Sequence, residues 1–139
     1  MGSILRDQLK AFLFSVTGWA IFFLAGLPTH YFQDLSFPFM IGFSLIALIP
    51  FWAICIAYLM WFEGQSQFRN GIVLAIHLFI WPFLCDWMYF VYTKPDLGIG
   101  FLIKYWYLTL FYILPLIFLP PTGRWLERRK KERALVHGA

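Results

Sequence analysis

The chain has 139 residues, 61% of them hydrophobic and 13% charged, with a mean hydropathy of +0.71 and a formal net charge of +4. A soluble domain carries about a quarter charged residues. Here the charges are excluded from long apolar runs, which argues against an ordinary water-soluble globule and for lipid as the solvent. The length leaves room for one domain.

In chain order, Arg6 and Lys10 precede the first apolar run, residues 11–27. No small-x-small cleavage pattern follows it, so a cleaved signal peptide is not expected. Arg6 stands where an N-myristoylation signal needs Ser or Thr. Further apolar runs cover residues 37–62, 71–92 and 99–119, each approaching the roughly 20 residues that cross a hydrocarbon core. The connections are short and rich in Gly, Pro and polar residues, with Asn70 expected to cap the third helix. Short loops make consecutive helices antiparallel neighbours. The expected fold is an all-α, four-helix transmembrane bundle running up-down-up-down over residues 1–120. A basic cytoplasmic tail, residues 121–139, would form a short separate helix after Pro120 and Pro121.

Orientation follows from the basic residues. Nine of them (Arg6, Lys10, Arg69, Arg124, Arg128, Arg129, Lys130, Lys131 and Arg133) fall on the side of the termini, against Lys94 alone in the opposite loops. This bias predicts cytoplasmic termini, as in a bacterial inner membrane. The tail's six basic residues oppose only Glu127 and Glu132, so it carries the whole net charge. Its first reading is contact with anionic lipid. Docking to an acidic cytoplasmic partner or RNA ranks below that, and nucleic acid is not the expected partner. Glu127 and Lys131 have the i, i+4 spacing of a helix ion pair.

Three ionisable residues fall inside the apolar runs, where they are costly and therefore informative: His77, Asp86 and Lys104. Depth counting places Asp86 and Lys104 at similar levels of a hairpin, which predicts an intramembrane polar pair, with Tyr89 and Tyr105 to complete its hydrogen bonding. The pair reads first as a clamp between helices and second as a proton or ion relay. His77 lies nine residues before Asp86, on the opposite helix face at about 100° per residue. It reads as a buried histidine bonded to a neighbouring helix, or as a single axial ligand to haem or a chlorophyll-type pigment. A bis-His haem site within the chain is not expected, because His30 and His137 lie outside the apolar runs. No metal site and no required cofactor are read from the sequence.

Aromatic residues make up 22%, more than two interfacial belts need. The surplus reads as packing and lipid contact. Cys55 and Cys85 differ in depth by about 10 Å, too far for a disulfide, and read as free buried thiols. Small residues form one face of the first helix (Ser15, Gly18, Ala25) and one of the second (Pro50, Ala53, Ala57), so these two are expected to pack together. Pro50, Pro82 and Pro115 fall within helices. There is no G-x-S-x-G, H-E-x-x-H, P-loop or C-x-x-C motif.

The resulting expectation is a non-catalytic accessory or structural subunit of a larger membrane complex, with electron transfer or photosynthesis suggested only by His77 and the aromatics. The alternatives are a small homo-oligomeric transporter or channel using Asp86 and Lys104, and an intramembrane enzyme acting on a lipid or quinone.

Overall fold

A computed structural model describes the backbone of residues 2–31, 37–61, 66–104 and 106–137. All the described segments are helical apart from single capping residues, and no strand occurs among them. Four long helices dominate: α1 (Gly2–Tyr31), α2 (Phe37–Trp61), α3 (Gln67–Thr93) and α5 (Trp106–His137). A 3-10 turn (Pro95–Gly100) and one helical turn, α4 (Phe101–Lys104), join α3 to α5. Gly98 in that turn has φ +48°, a region open to glycine at little cost. Among the described residues, α3 alone is long and apolar enough to cross a membrane, and Leu48–Trp61 is a shorter apolar helix.

Contacts fix the helix directions. Phe12 meets Trp81 edge-on at 4.7 Å and Phe23 meets Tyr89 at 4.8 Å, so α1 and α3 run the same way. Phe14 lies against Tyr58 and Phe22 against Phe51, so α2 runs opposite to α1. Leu119 lies at Gly71 and Gly123 at Gln67, so α5 runs opposite to α3.

The expected α1–α2 seam of small residues is corrected. On α2, Pro50, Ala53 and Ala57 are exposed. On α1, a side chain at Gly18 would meet nothing within 4 Å. The two helices touch through aromatic rings instead, and the principal partner of α1 is α3. The close approach occurs between α3 and α5, the broadest packing among the described residues. A Cβ on Gly123 would collide with the Gln67 carbonyl oxygen, and one on Gly71 would sit 2.7 Å from that of Leu119. Glycine removes the side chain that would hold the backbones apart. Around this crossing Phe51, Cys55, Leu59, Leu74, Ala75, Leu78 and Leu119 form the core.

The second correction concerns the prolines. Pro120 and Pro121 do not end the fourth long helix; α5 continues through them, as through Pro115, to His137. Each proline removes one backbone hydrogen bond. Packing against α3 compensates, since Leu119, Gly123 and Glu127 all contact its first turns. The Thr122 hydroxyl also donates to the Phe118 carbonyl at 2.7 Å. The basic residues therefore extend an existing helix.

Candidate functional site

The buried polar centre is Asp86, 7% exposed on α3. It lies seven residues before Thr93, the last of α3, while Tyr112 lies six residues after Trp106, the first of α5. The antiparallel packing brings them together, and the Tyr112 hydroxyl donates a hydrogen bond to Asp86 Oδ2. From α1, Trp19 Nε1–H donates to Asp86 Oδ1 at 2.8 Å. One carboxylate thus ties three helices together. The Phe83 ring stands edge-on to Tyr112 at 5.9 Å, and Phe23 stacks beside Trp19 at 5.0 Å. Hydrogen bonds to a carboxylate are stronger than neutral ones, and aromatic walls that keep water away strengthen them further.

This geometry gives Asp86 two donors that the sequence alone did not single out, Tyr112 and Trp19. Tyr89 packs on Phe23, and Tyr105 lies outside the described residues. The partner of Asp86 in the expected pair, Lys104, ends the short turn α4, and its side chain lies outside the described residues. Tyr112 could have been found by its hydroxyl, a polar group within an apolar run that needs a partner when buried. Trp19 carries a weaker signal, that of a single indole N–H within an apolar run, which needs an acceptor when buried.

His77 is half-buried on α3, and its Nδ1 lies 2.9 Å from the Val73 carbonyl, one turn back in the same helix. The carbonyl can only accept, so Nδ1 is the donor in this bond. The expected bond to a neighbouring helix is replaced by one within α3. An Nδ1–H anchored on a carbonyl is also how ligating histidines are oriented. Among the described residues no cluster of three or more His, Cys, Asp or Glu side chains is placed to hold a metal ion. Cys55 is buried, Cys85 only partly, and both are free thiols.

A second polar junction joins α5 to the start of α3. The cap of α3 is Ser66, not Asn70: its backbone is extended (φ −63°, ψ 111°) and its hydroxyl oxygen accepts from the Arg69 N–H at 3.3 Å. Glu127 reaches across from α5, accepting from the Ser66 hydroxyl at 2.5 Å and from the Phe68 N–H at 3.0 Å. A carboxylate there satisfies orphan donors and complements the helix dipole. Helix α3 thus begins before Asn70, which is buried inside it with its side-chain nitrogen unpartnered among the described residues. Gln67 Oε1 and Asp7 Oδ1 are likewise buried without a hydrogen-bond partner among the described residues. Asp7, which lies outside the apolar runs, is nonetheless a buried acid because α1 begins well before residue 11.

The hydrogen bond from Ser66 chiefly holds the Glu127 carboxyl below its ordinary value of 4.5, aided by the Phe68 N–H, with Lys131 a smaller contributor. A carboxyl whose folded pKa is depressed stabilises the fold fully above its unfolded pKa. That stabilisation drains as pH falls through the depressed value. Melting in detergent is therefore expected to weaken below about pH 4.5 in the native chain. Glu127→Gln should remove that part of the slope, while an unchanged slope would show that the cap does not contribute.

The basic residues Arg124, Arg128, Arg129, Lys130, Lys131 and Arg133 lie along α5, partly or fully exposed. The Arg124 guanidinium lies 5.4 Å over the Phe68 ring, and that of Arg129 lies 4.5 Å over Trp125. Comparison with known protein families, curated proteins and solved structures finds no match to the chain.

Proposed function

We propose that this all-helical protein is a non-catalytic, membrane-embedded subunit of a larger membrane complex, crossing the bilayer four times with both termini on the cytoplasmic side. The observation that carries this reading is apolar exposure on every long helix. Ile21 on α1 is 61% exposed, Ile49 on α2 70%, Met88 on α3 59% and Ile117 on α5 57%. Large apolar surfaces of this kind fit lipid or a partner helix and are aggregation hazards in water. The span-length α3 and the one-sided basic residues support the same reading.

The subunit role rests on the state of Asp86. Both of its oxygens accept from donors of the chain itself, so the carboxylate fits a clamp between helices better than a relay. Such a rigid hub, surrounded by aromatic side chains on the helix surfaces, suits a scaffold that presents surface to other subunits. Extraction in mild detergent, with native sizing and identification of co-purifying chains, tests it. A stable stoichiometric complex is the expected result, and a lone species with no partner would sink the assignment.

A further inference from the structure

Helix α5 stays beside α3 as far as the first turn of α3, with Leu119 at Gly71, Gly123 at Gln67 and Glu127 at the Ser66 cap. It then continues to His137, about 15 Å farther at 1.5 Å per residue. At about 100° per residue the six basic side chains fall into two sets. Arg124, Arg128 and Lys131 share one narrow sector, roughly 60° wide, whereas Arg129, Lys130 and Arg133 spread over the other side. Arg124 is fixed at the level of the first turn of α3 by its seat over Phe68. Trp125, 48% exposed, lies between the two sets, with the Arg129 guanidinium 4.5 Å over its ring.

Taken with the membrane reading above, on which this inference rests, that level has a physical identity. The 27 residues of α3 are about 40 Å long, close to the thickness of a bilayer with its headgroups. The first turn then lies among the headgroups, where an exposed indole is well accommodated. A planar guanidinium at that depth matches a phosphate with two parallel hydrogen bonds. We propose that Arg124, Arg128 and Lys131 form a binding site for the phosphate of an anionic phospholipid at the cytoplasmic surface. Lipid is favoured over an acidic protein because the stripe begins at headgroup level, on a helix that carries an exposed tryptophan at the same level.

The test uses the full chain in vesicles of phosphatidylcholine, with and without phosphatidylglycerol. Flotation establishes insertion, and native mass spectrometry of the detergent-extracted protein counts retained lipids. The native chain is expected to retain phosphatidylglycerol in preference to phosphatidylcholine. The triple variant Arg124→Gln, Arg128→Gln, Lys131→Gln should lose that preference by up to about fivefold per charge, which is ~1 kcal/mol each. A second triple variant, Arg129→Gln, Lys130→Gln, Arg133→Gln, removes the same charge and should largely keep it. Equal losses in the two variants would overturn the site in favour of diffuse attraction. Insertion without any phosphatidylglycerol preference overturns the lipid assignment alone, and failure to float overturns the membrane reading with it. Retention of an added acidic protein or RNA instead of the lipid would overturn the choice of ligand.

Discussion

Gly123→Ala is expected to be strongly destabilising. The new Cβ would collide with the Gln67 carbonyl oxygen and lie 2.8 Å from its carbon and 3.0 Å from the Phe68 Cα. All three are backbone atoms of α3, so no side-chain rotamer can relieve the clash. The helices must separate, at a cost of about 3 kcal/mol or more. Gly71→Ala meets the Leu119 carbonyl oxygen at 2.7 Å and should act in the same direction. The double variant should fall short of the sum, because the first substitution already opens the crossing that the second would open. Gly18→Ala is the control: nothing lies within 4 Å, and helix propensity favours alanine by up to about 1 kcal/mol. Thermal or detergent-titrated unfolding followed by circular dichroism reads all four. A Gly123→Ala protein as stable as the native chain would contradict the described approach of α5 to α3.

Asp86→Ala should be the second large effect, for a different reason. It removes the acceptor for Trp19 Nε1–H and the Tyr112 hydroxyl together and leaves one part-buried and one buried donor unpaired. The expected loss is about 2–4 kcal/mol. Tyr112→Phe removes one charge-assisted bond and should cost about 1.5–3 kcal/mol. Because both changes break the same bond, the Asp86→Ala, Tyr112→Phe cycle should show coupling in the unfolding free energy. Additivity would mean that the two side chains act separately. Asp86→Asn separates the clamp from a relay. A clamp predicts altered stability with no transport phenotype, whereas abolished ion flux in liposomes with an intact fold would favour a transporter built on Asp86.

Much of the helical layout is legible in the amino-acid sequence. The apolar runs at residues 37–62 and 71–92 correspond to α2 and α3, because a long uncharged run offers the backbone no partner other than itself. At two boundaries, tertiary contacts override the local signals. Pro120 and Pro121 read as a stop, yet α5 continues because its next turns pack on α3 through Gly123 and Glu127. Asn70 reads as a cap, yet α3 begins earlier because Glu127 supplies acceptors from another helix. A cap provided by a helix so distant in sequence has no local pattern to detect.

The candidate site shows the same division. Asp86 stands out unaided, since an acid in an apolar run is costly wherever it points. Its described partners, Trp19 and Tyr112, do not, because they lie on two other helices and their meeting with Asp86 depends on how those helices are set against α3. By itself the sequence determined the helical class, the places of α2 and α3, the importance of Asp86 and the basic set on α5. Only the tertiary structure decided which glycines matter, which helices adjoin and which donors meet the carboxylate. The physical reason is that periodicity and composition act along the chain, whereas close approach and hydrogen-bond partnership depend on the register between helices. That register is set by a few contacts distant in sequence, such as Gly123 on Gln67 and Tyr112 on Asp86.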